Sequence, residues 1–204
     1  MTIETHPIRR RRLSKADRRR VGQKASRVLK SQERRPLSKQ EQMDLLAACT
    51  DFRDKLIVVG LIDTGLRISE LLGLRPQDMD WQHNVINAPN LKTHDPKRDR
   101  KNIPMSPRLR PLFEMHFSMA DRIPMTRHGC LKLVKRAMKR AKLTAPAMLH
   151  VLRDTACVNM LQAGVDIKAV QQIMGHSSIA VTEKYLKYSG TMAVDEVKRK
   201  MGWT

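Results

Sequence analysis

The chain has 204 residues, 41% apolar but only 3% aromatic, and its 40 Lys and Arg against 20 Asp and Glu give a formal charge of +20. This length allows one well-cored domain with an appendage, filled by Leu, Ile, Val, Ala and the 13 Met rather than by rings. Cys49, Cys130 and Cys157, odd in number and without zinc spacing, argue against a disulfide framework or a metal cluster, and the longest apolar run, LIVVGLI at 56–62, is too short to span a bilayer. The charge points to a polyanionic partner, nucleic acid first, because each neutralised phosphate releases counterions. The basic N-terminus has no apolar region behind it and is no secretory signal, so the chain is expected in a reducing cytoplasm, at the nucleoid.

Residues 1–35 hold 13 Lys and Arg against Glu4, Asp17 and Glu33, which is half the net charge in about a sixth of the length. Ser14 and Asp17 could open a helix with Val21, Ala25, Val28 and Leu29 on one face. The segment is expected to be frayed alone and to order on phosphate as a DNA-contacting arm, with Arg9, Arg10, Arg11, Arg12, Arg18, Arg19 and Arg20 as its contacts.

After Pro36, the capping box Ser38-x-x-Glu41 predicts a helix carrying Met43, Leu45 and Leu46. A second helix is predicted over about 52–62, stopping at Thr64-Gly65, and a third over about 67–74. From 81 to 105 the pattern turns to short strands at Val85, around Leu91 and around Ile103, with Pro89 suggesting an edge or a bulge. Helices return after Pro107. The basic one at about 126–142 carries Leu131, Val134, Ala137 and Met138 on its apolar stripe and Lys132, Lys135, Arg136 and Lys139 as candidate DNA contacts. Helices at about 146–163 and 166–174 should end on Gly164 and Gly175, with Cys49 and Cys157 as small core residues. Thr182 is expected to cap the helix that carries Tyr185. The fold class is mainly α with a small three-stranded antiparallel sheet.

Cutting a DNA strand while keeping its bond energy needs cations on the phosphate oxygens, a nucleophile, and an acid for the departing 5′-oxygen. Arginine suits the first task, since its planar fork bonds two oxygens and keeps its charge. Tyrosine can serve as nucleophile and store the bond as a phosphotyrosine. The chain presents such groups in order: Arg67 in TGLRISELLGL, Lys92 in a polar turn, His150 and Arg153 in HVLR, His176 after Gly175, and Tyr185 in TEKY.

These segments together resemble the catalytic domain of the tyrosine recombinases, the phage-integrase family, over roughly residues 36–190. HxxR alone is a common spacing, but TGLRISELLGL and GHSSIAVTEKY are specific. The resemblance implies that Arg67 and Arg153 clamp the scissile phosphate, Lys92 is the general acid, and His150 assists proton transfer at the tyrosine. It further implies that His176 hydrogen-bonds the phosphate and Tyr185 attacks to form a 3′-phosphotyrosyl link, with no metal or nucleotide cofactor. Lys97 and Lys101 compete with Lys92, though KT followed by a later IP fits best. Tyr188 competes with Tyr185, though TxxY after the GH pair selects Tyr185. Glu70 and Asp80 fit acidic positions that orient the site, and the N-terminus of a helix starting at Thr182 would add positive potential.

Two departures stand out. Asp154 follows Arg153 where the family usually has histidine. Only about 35 residues precede the matching region, where typical members carry a core-binding domain of about a hundred; the chain is a minimal enzyme, a fragment, or a member that borrows a partner. Residues 191–204, with Met192, Val194, Val197, Met201 and Trp203, form an amphipathic tail that docks on a neighbouring subunit or on its own surface. Double-stranded DNA, a homotetramer on DNA and an accessory DNA-bending protein or partner recombinase are the partners implied. The rival readings are a non-cleaving DNA-binding relative and a type IB topoisomerase-like strand transferase.

Overall fold

Ser38 opens the first helix, α1 (Lys39–Ala47), with both halves of the expected capping box: its side chain accepts from the Glu41 amide, and Glu41 accepts from the Ser38 amide. In α2 (Phe52–Thr64) the segment LIVVGLI leaves no polar side to face water, so it can only lie inside. Leu56, Ile57, Val58, Leu61 and Ile62 are all buried, and α2 is the axis of the main core. It ends on Gly65 in the left-handed region (φ 64°), and Arg67 then caps α3 (Ile68–Gly73). The computed structural model describes residues 35–91, 99–145, 147–189, 198 and 200–203. The N-terminal arm, Lys92, Lys97 and most of the C-terminal tail lie outside the described residues.

The sheet has three antiparallel strands in the order β1 (Met79–Asp80), β2 (Val85–Pro89) and β3 (Arg100–Pro104). Ile86 pairs with both Met79 and Ile103, and all three side chains turn to the core. Two strand expectations need correction. The segment at Leu91 is a turn, and the third strand is instead Met79–Asp80. β2 is also central, yet it tolerates Pro89. β1 pairs only as far as Ile86, so at Pro89, opposite Arg100, the strand has a neighbour on one side alone.

Four helices complete the main body: α4 (Arg110–Phe117), α5 (Arg127–Arg140), α6 (Leu149–Gln162) and α7 (Ile167–Met174). α6 starts later than its expected bound of 146 and packs along α2. Its first half contributes Leu149, Val151 and Leu152 to the main core. Its second half joins Cys157 and Leu161 to Val170 and Met174 of α7 in a smaller cluster. All three cysteines are buried and free. Two short helices, α8 (Ile179–Glu183) and α9 (Leu186–Ser189), follow, with Tyr185 in the step between them. Thr182 is therefore not a cap: it is buried inside α8, whose N-cap is Ser178, so no helix N-terminus lies at Thr182. Among the described residues no helix is long and apolar enough to cross a membrane.

Gly65 is required twice over, because a Cβ there would strain the left-handed backbone and stand 2.5 Å from the Met174 sulfur. Gly65→Ala is expected to lower the urea-unfolding free energy by about 2 kcal/mol, from backbone strain plus displacement of Met174. Gly73→Ala, with nothing within 4 Å of its added methyl, should be neutral or slightly stabilising in the same assay.

Candidate active site

The Arg67-x-x-Glu70 spacing folds back on itself at the start of α3. Glu70 Oε2 accepts from the Arg67 amide at 2.9 Å, and Oε1 accepts from the Arg67 guanidinium at 2.7 Å. Glu70 is fully buried, so its charge requires compensation. Lys101 supplies it, donating from Nζ to Oε2 at 2.8 Å, and Arg153 lies 3.9 Å from the same oxygen. Burial would raise the Glu70 carboxyl, but the charge and hydrogen bond of Lys101, with the two Arg67 contacts, outweigh it and hold the group below its ordinary value.

The arginines are held a second time, by helix ends. A helix that stops on a left-handed residue leaves its last carbonyls without amide partners inside the helix, and these carry the negative end of its dipole. Arg153 donates to the carbonyls of Gly65, after α2, and Met174, the last residue of α7. Arg67 donates to the Gly175 carbonyl at 3.2 Å. Burial, then the neighbouring Arg67, lower Arg153 to about 10, which still leaves it charged at neutral pH. Lys101 is lowered to about 8, first by burial and against the pull of Glu70.

His176 and Tyr185 form the other side of the site. The rings stack with centroids 6.3 Å apart and planes 14° from parallel, and His176 Nδ1 lies 2.9 Å from the Thr182 hydroxyl. Burial, followed by Arg153, Arg67 and Lys101, pushes His176 down to about 4, so the imidazole is neutral near pH 7. The Tyr185 ring packs on the smaller core cluster, and its hydroxyl donates to Asp154 Oδ1 at 2.8 Å. Burial first, and Asp154 second, raise the phenol well above its ordinary value.

Arg67, Arg153, His176 and Tyr185 thus converge on one site. His150 stands exposed in the first turn of α6, while Lys92 lies outside the described residues. Asp80 turns away to the exposed His83 at 2.8 Å. Tyr188 lies under Lys187, whose Nζ is 4.8 Å from its ring centroid. Lys132, Lys135, Arg136 and Lys139 are all exposed, along the side of α5 opposite Cys130, Leu133, Val134, Ala137 and Met138. Sequence reasoning placed Lys101 behind Lys92, although alternation with Ile103 on β3 marks it as inward-facing. It marks Asp154 only as a departure from the family pattern, with no signal that the Tyr185 hydroxyl would meet it.

The profile of the phage integrase family matches residues 28–191, and the chain belongs to that family. It is 28% identical over 167 residues to the tyrosine recombinase XerA of Pyrococcus horikoshii, covering 74% of this chain and 56% of that one. The catalytic domain of bacteriophage HP1 integrase superposes with a TM-score of 0.62 at 26% identity, over 80% of this chain and 94% of that one. The Tn1549 transposon integrase, solved in complex with a circular intermediate DNA, gives a TM-score of 0.63 at 26% identity, over 85% and 67% of the two chains. The mainly helical body with its three-stranded sheet is thus the fold of tyrosine recombinase catalytic domains. The chain spans about half the length of the curated relatives it matches.

Removing the central carboxylate should be costly. Glu70→Ala leaves Arg67, Lys101 and Arg153 facing one another without their shared anion, and a loss of about 3–5 kcal/mol is expected in urea unfolding. For His176, a proton NMR titration of the ring should give a midpoint near pH 4 rather than 6.5. Since the unfolded chain takes up that proton first, the stability linked to His176 is full above about pH 6.5 and is lost as pH falls towards 4.

Proposed function

We propose that this chain is the catalytic part of a tyrosine site-specific recombinase, which cuts and rejoins DNA strands through a 3′-phosphotyrosyl intermediate without metal or ATP. The observation that carries this reading is the pair Arg67 and Arg153, each fixed on helix-end carbonyls around one buried carboxylate, with Tyr185 and His176 stacked beside them. Three cations around one carboxylate leave the site positive and suited to a phosphodiester. The arginines hold the non-bridging oxygens as charge builds at phosphorus. We take the Thr182 hydroxyl, 2.9 Å from Nδ1, as the donor of that pair, which leaves the proton of neutral His176 on Nε2 for a phosphate oxygen. Tyr185 is the nucleophile, Lys92 protonates the leaving 5′-oxygen, and His150 assists proton movement from the rim.

The exposed stripe of Lys132, Lys135, Arg136 and Lys139 contacts the DNA backbone, a reading supported by the DNA bound to the Tn1549 relative. Residues 1–35 act as a basic arm that embraces the duplex, 36–190 carry the reaction, and 191–204 dock on a neighbouring subunit within a tetramer on DNA, with an accessory protein or partner recombinase completing the assembly.

Covalent trapping tests the reaction. Nicked suicide duplexes tiled across the DNA flanking the chain's own coding sequence are incubated with the protein and resolved under denaturing conditions. A denaturation-resistant adduct is expected with the native chain and with Tyr188→Phe, and none with Tyr185→Phe. Tight binding without an adduct would favour a non-cleaving DNA-binding relative. On a supercoiled plasmid carrying the trapped site, relaxed circles without exchanged strands would favour a topoisomerase.

A further inference from the structure

The proposed strand transfer has His150 moving protons from the rim but names no group in contact with the Tyr185 hydroxyl to take its proton. For Tyr185 to attack phosphorus its Oη–H bond must break, and burial raises the phenol well above its ordinary value, so it does not ionise by itself near pH 7. Arginine cannot accept a proton, and Arg67 and Arg153 are already committed as donors to helix-end carbonyls. His176 has its Nδ1 on the Thr182 hydroxyl, and its ring lies parallel to the phenol, a stacking arrangement rather than a hydrogen-bonding one. His150 stands exposed at the first turn of α6. The hydroxyl itself points at a carboxylate: Tyr185 Oη to Asp154 Oδ1, 2.8 Å.

We propose that Asp154 is a catalytic residue, the general base that takes the Tyr185 proton during cleavage. This rests on the reading of Tyr185 as nucleophile. In the forward step the Oη–H bond breaks and its proton moves to Asp154 Oδ1 as the Oη–P bond forms. The P–O5′ bond breaks in turn, and O5′ leaves with a proton from the general acid. In rejoining, an incoming 5′-hydroxyl attacks phosphorus and yields its proton to the now deprotonated acid group, while the Asp154 carboxylic acid returns its own proton to Tyr185 as the phosphotyrosyl bond breaks. Both half-reactions balance, and Asp154 ends each cycle ionised.

The position of Asp154 fits the role. It sits in the middle of α6, a rigid element with one half in each core cluster, and Tyr185 is half-buried against the smaller one. Base and nucleophile are therefore held in register by packing, with the hydrogen bond already made. The neighbouring Arg153 faces the carbonyls of Gly65 and Met174 instead, so the clamp and the base are consecutive residues with separate partners.

The test uses the full chain and a nicked duplex on which it forms the adduct, in two versions: the natural 5′-oxygen, and a 5′-bridging sulfur that leaves without an acid. Asp154→Asn keeps an acceptor at the same place but cannot take the proton. Single-turnover adduct formation should slow by about 100-fold on both duplexes, with duplex affinity and thermal unfolding within error of the native chain. Asp154→Glu, which keeps the carboxylate on a longer arm, should exceed the Asn variant by about tenfold or more. A native rate in Asp154→Asn, or equal rates in the Asn and Glu variants, overturns the base while leaving Tyr185 as nucleophile. Slowing on oxygen that is cured by sulfur would also overturn it, placing Asp154 on the path of the acid. No adduct from the native chain on any duplex, despite binding, removes the nucleophile and the base together.

Discussion

A buried carboxylate with three cations around it is the constraint on which the rest of this structure depends. Burying Glu70 is costly unless its charge is met, and Lys101, Arg67 and Arg153 meet it from a strand and two helices. The converse matters as much. Three cations would repel one another in a dry pocket, and Glu70 is the counter-charge that lets them gather. Even with Asp154 counted beside Glu70, two carboxylates do not neutralise three cations, so the pocket keeps an excess of positive charge inside low-dielectric walls, where an anion entering it is held far more strongly than in water.

Helix ends turn that charge into geometry. Gly65 and Gly175 both sit in the left-handed region, and the chain reversals they permit bring the carbonyl ends of α2 and α7 together. Each guanidinium is a planar fork, so bonds to fixed carbonyls set its orientation as well as its position. Lys101 lies along Gly175, where a Cβ would come within 3.1 Å of its side chain, so the same glycine makes room for the cation from the sheet. The site is preorganised because its groups are fastened to backbone that the core already fixes, and little reorganisation remains when charge develops.

What the sequence disclosed of this arrangement follows how local each part is. Arg67 with Glu70, His150 with Arg153, and His176 with Tyr185 lie within nine residues of one another, and such spacings survive in a linear reading. Lys101 meets Glu70 across 31 positions, and only strand alternation beside Ile103 hints that it points inward. Thr182 has the signature of a helix cap in sequence, a threonine a few residues before the tyrosine. In the folded chain its hydroxyl faces His176, and the helix had already begun after Ser178. Leu91 reads as strand because an apolar residue among turn formers resembles a short edge, whereas the chain turns there. The true third strand, Met79–Asp80, is two residues long and carries no periodicity to detect. The helical scaffold was legible because α2 and α5 have long, unambiguous apolar faces. The partner of Tyr185 was not, because nothing in the order of residues says which side of α6 the tyrosine will meet.

That last point has a geometric core. Consecutive residues on an α-helix project about 100° apart, so one step along α6 separates Arg153, aimed at the ends of α2 and α7, from Asp154, aimed at Tyr185. On the proposed reaction the phosphate must lie where both can act: within reach of the guanidinium, and in line with the hydroxyl that Asp154 holds. The spacing between clamp and nucleophile is then a property of α6 rather than of any loop. α6 is pinned along its length, by Leu149, Val151 and Leu152 in one core and by Cys157 and Leu161 in the other. A one-residue insertion between Arg153 and Cys157 would rotate one half of the helix against the other by that same 100°, and no rearrangement of exposed side chains could bring both partners back.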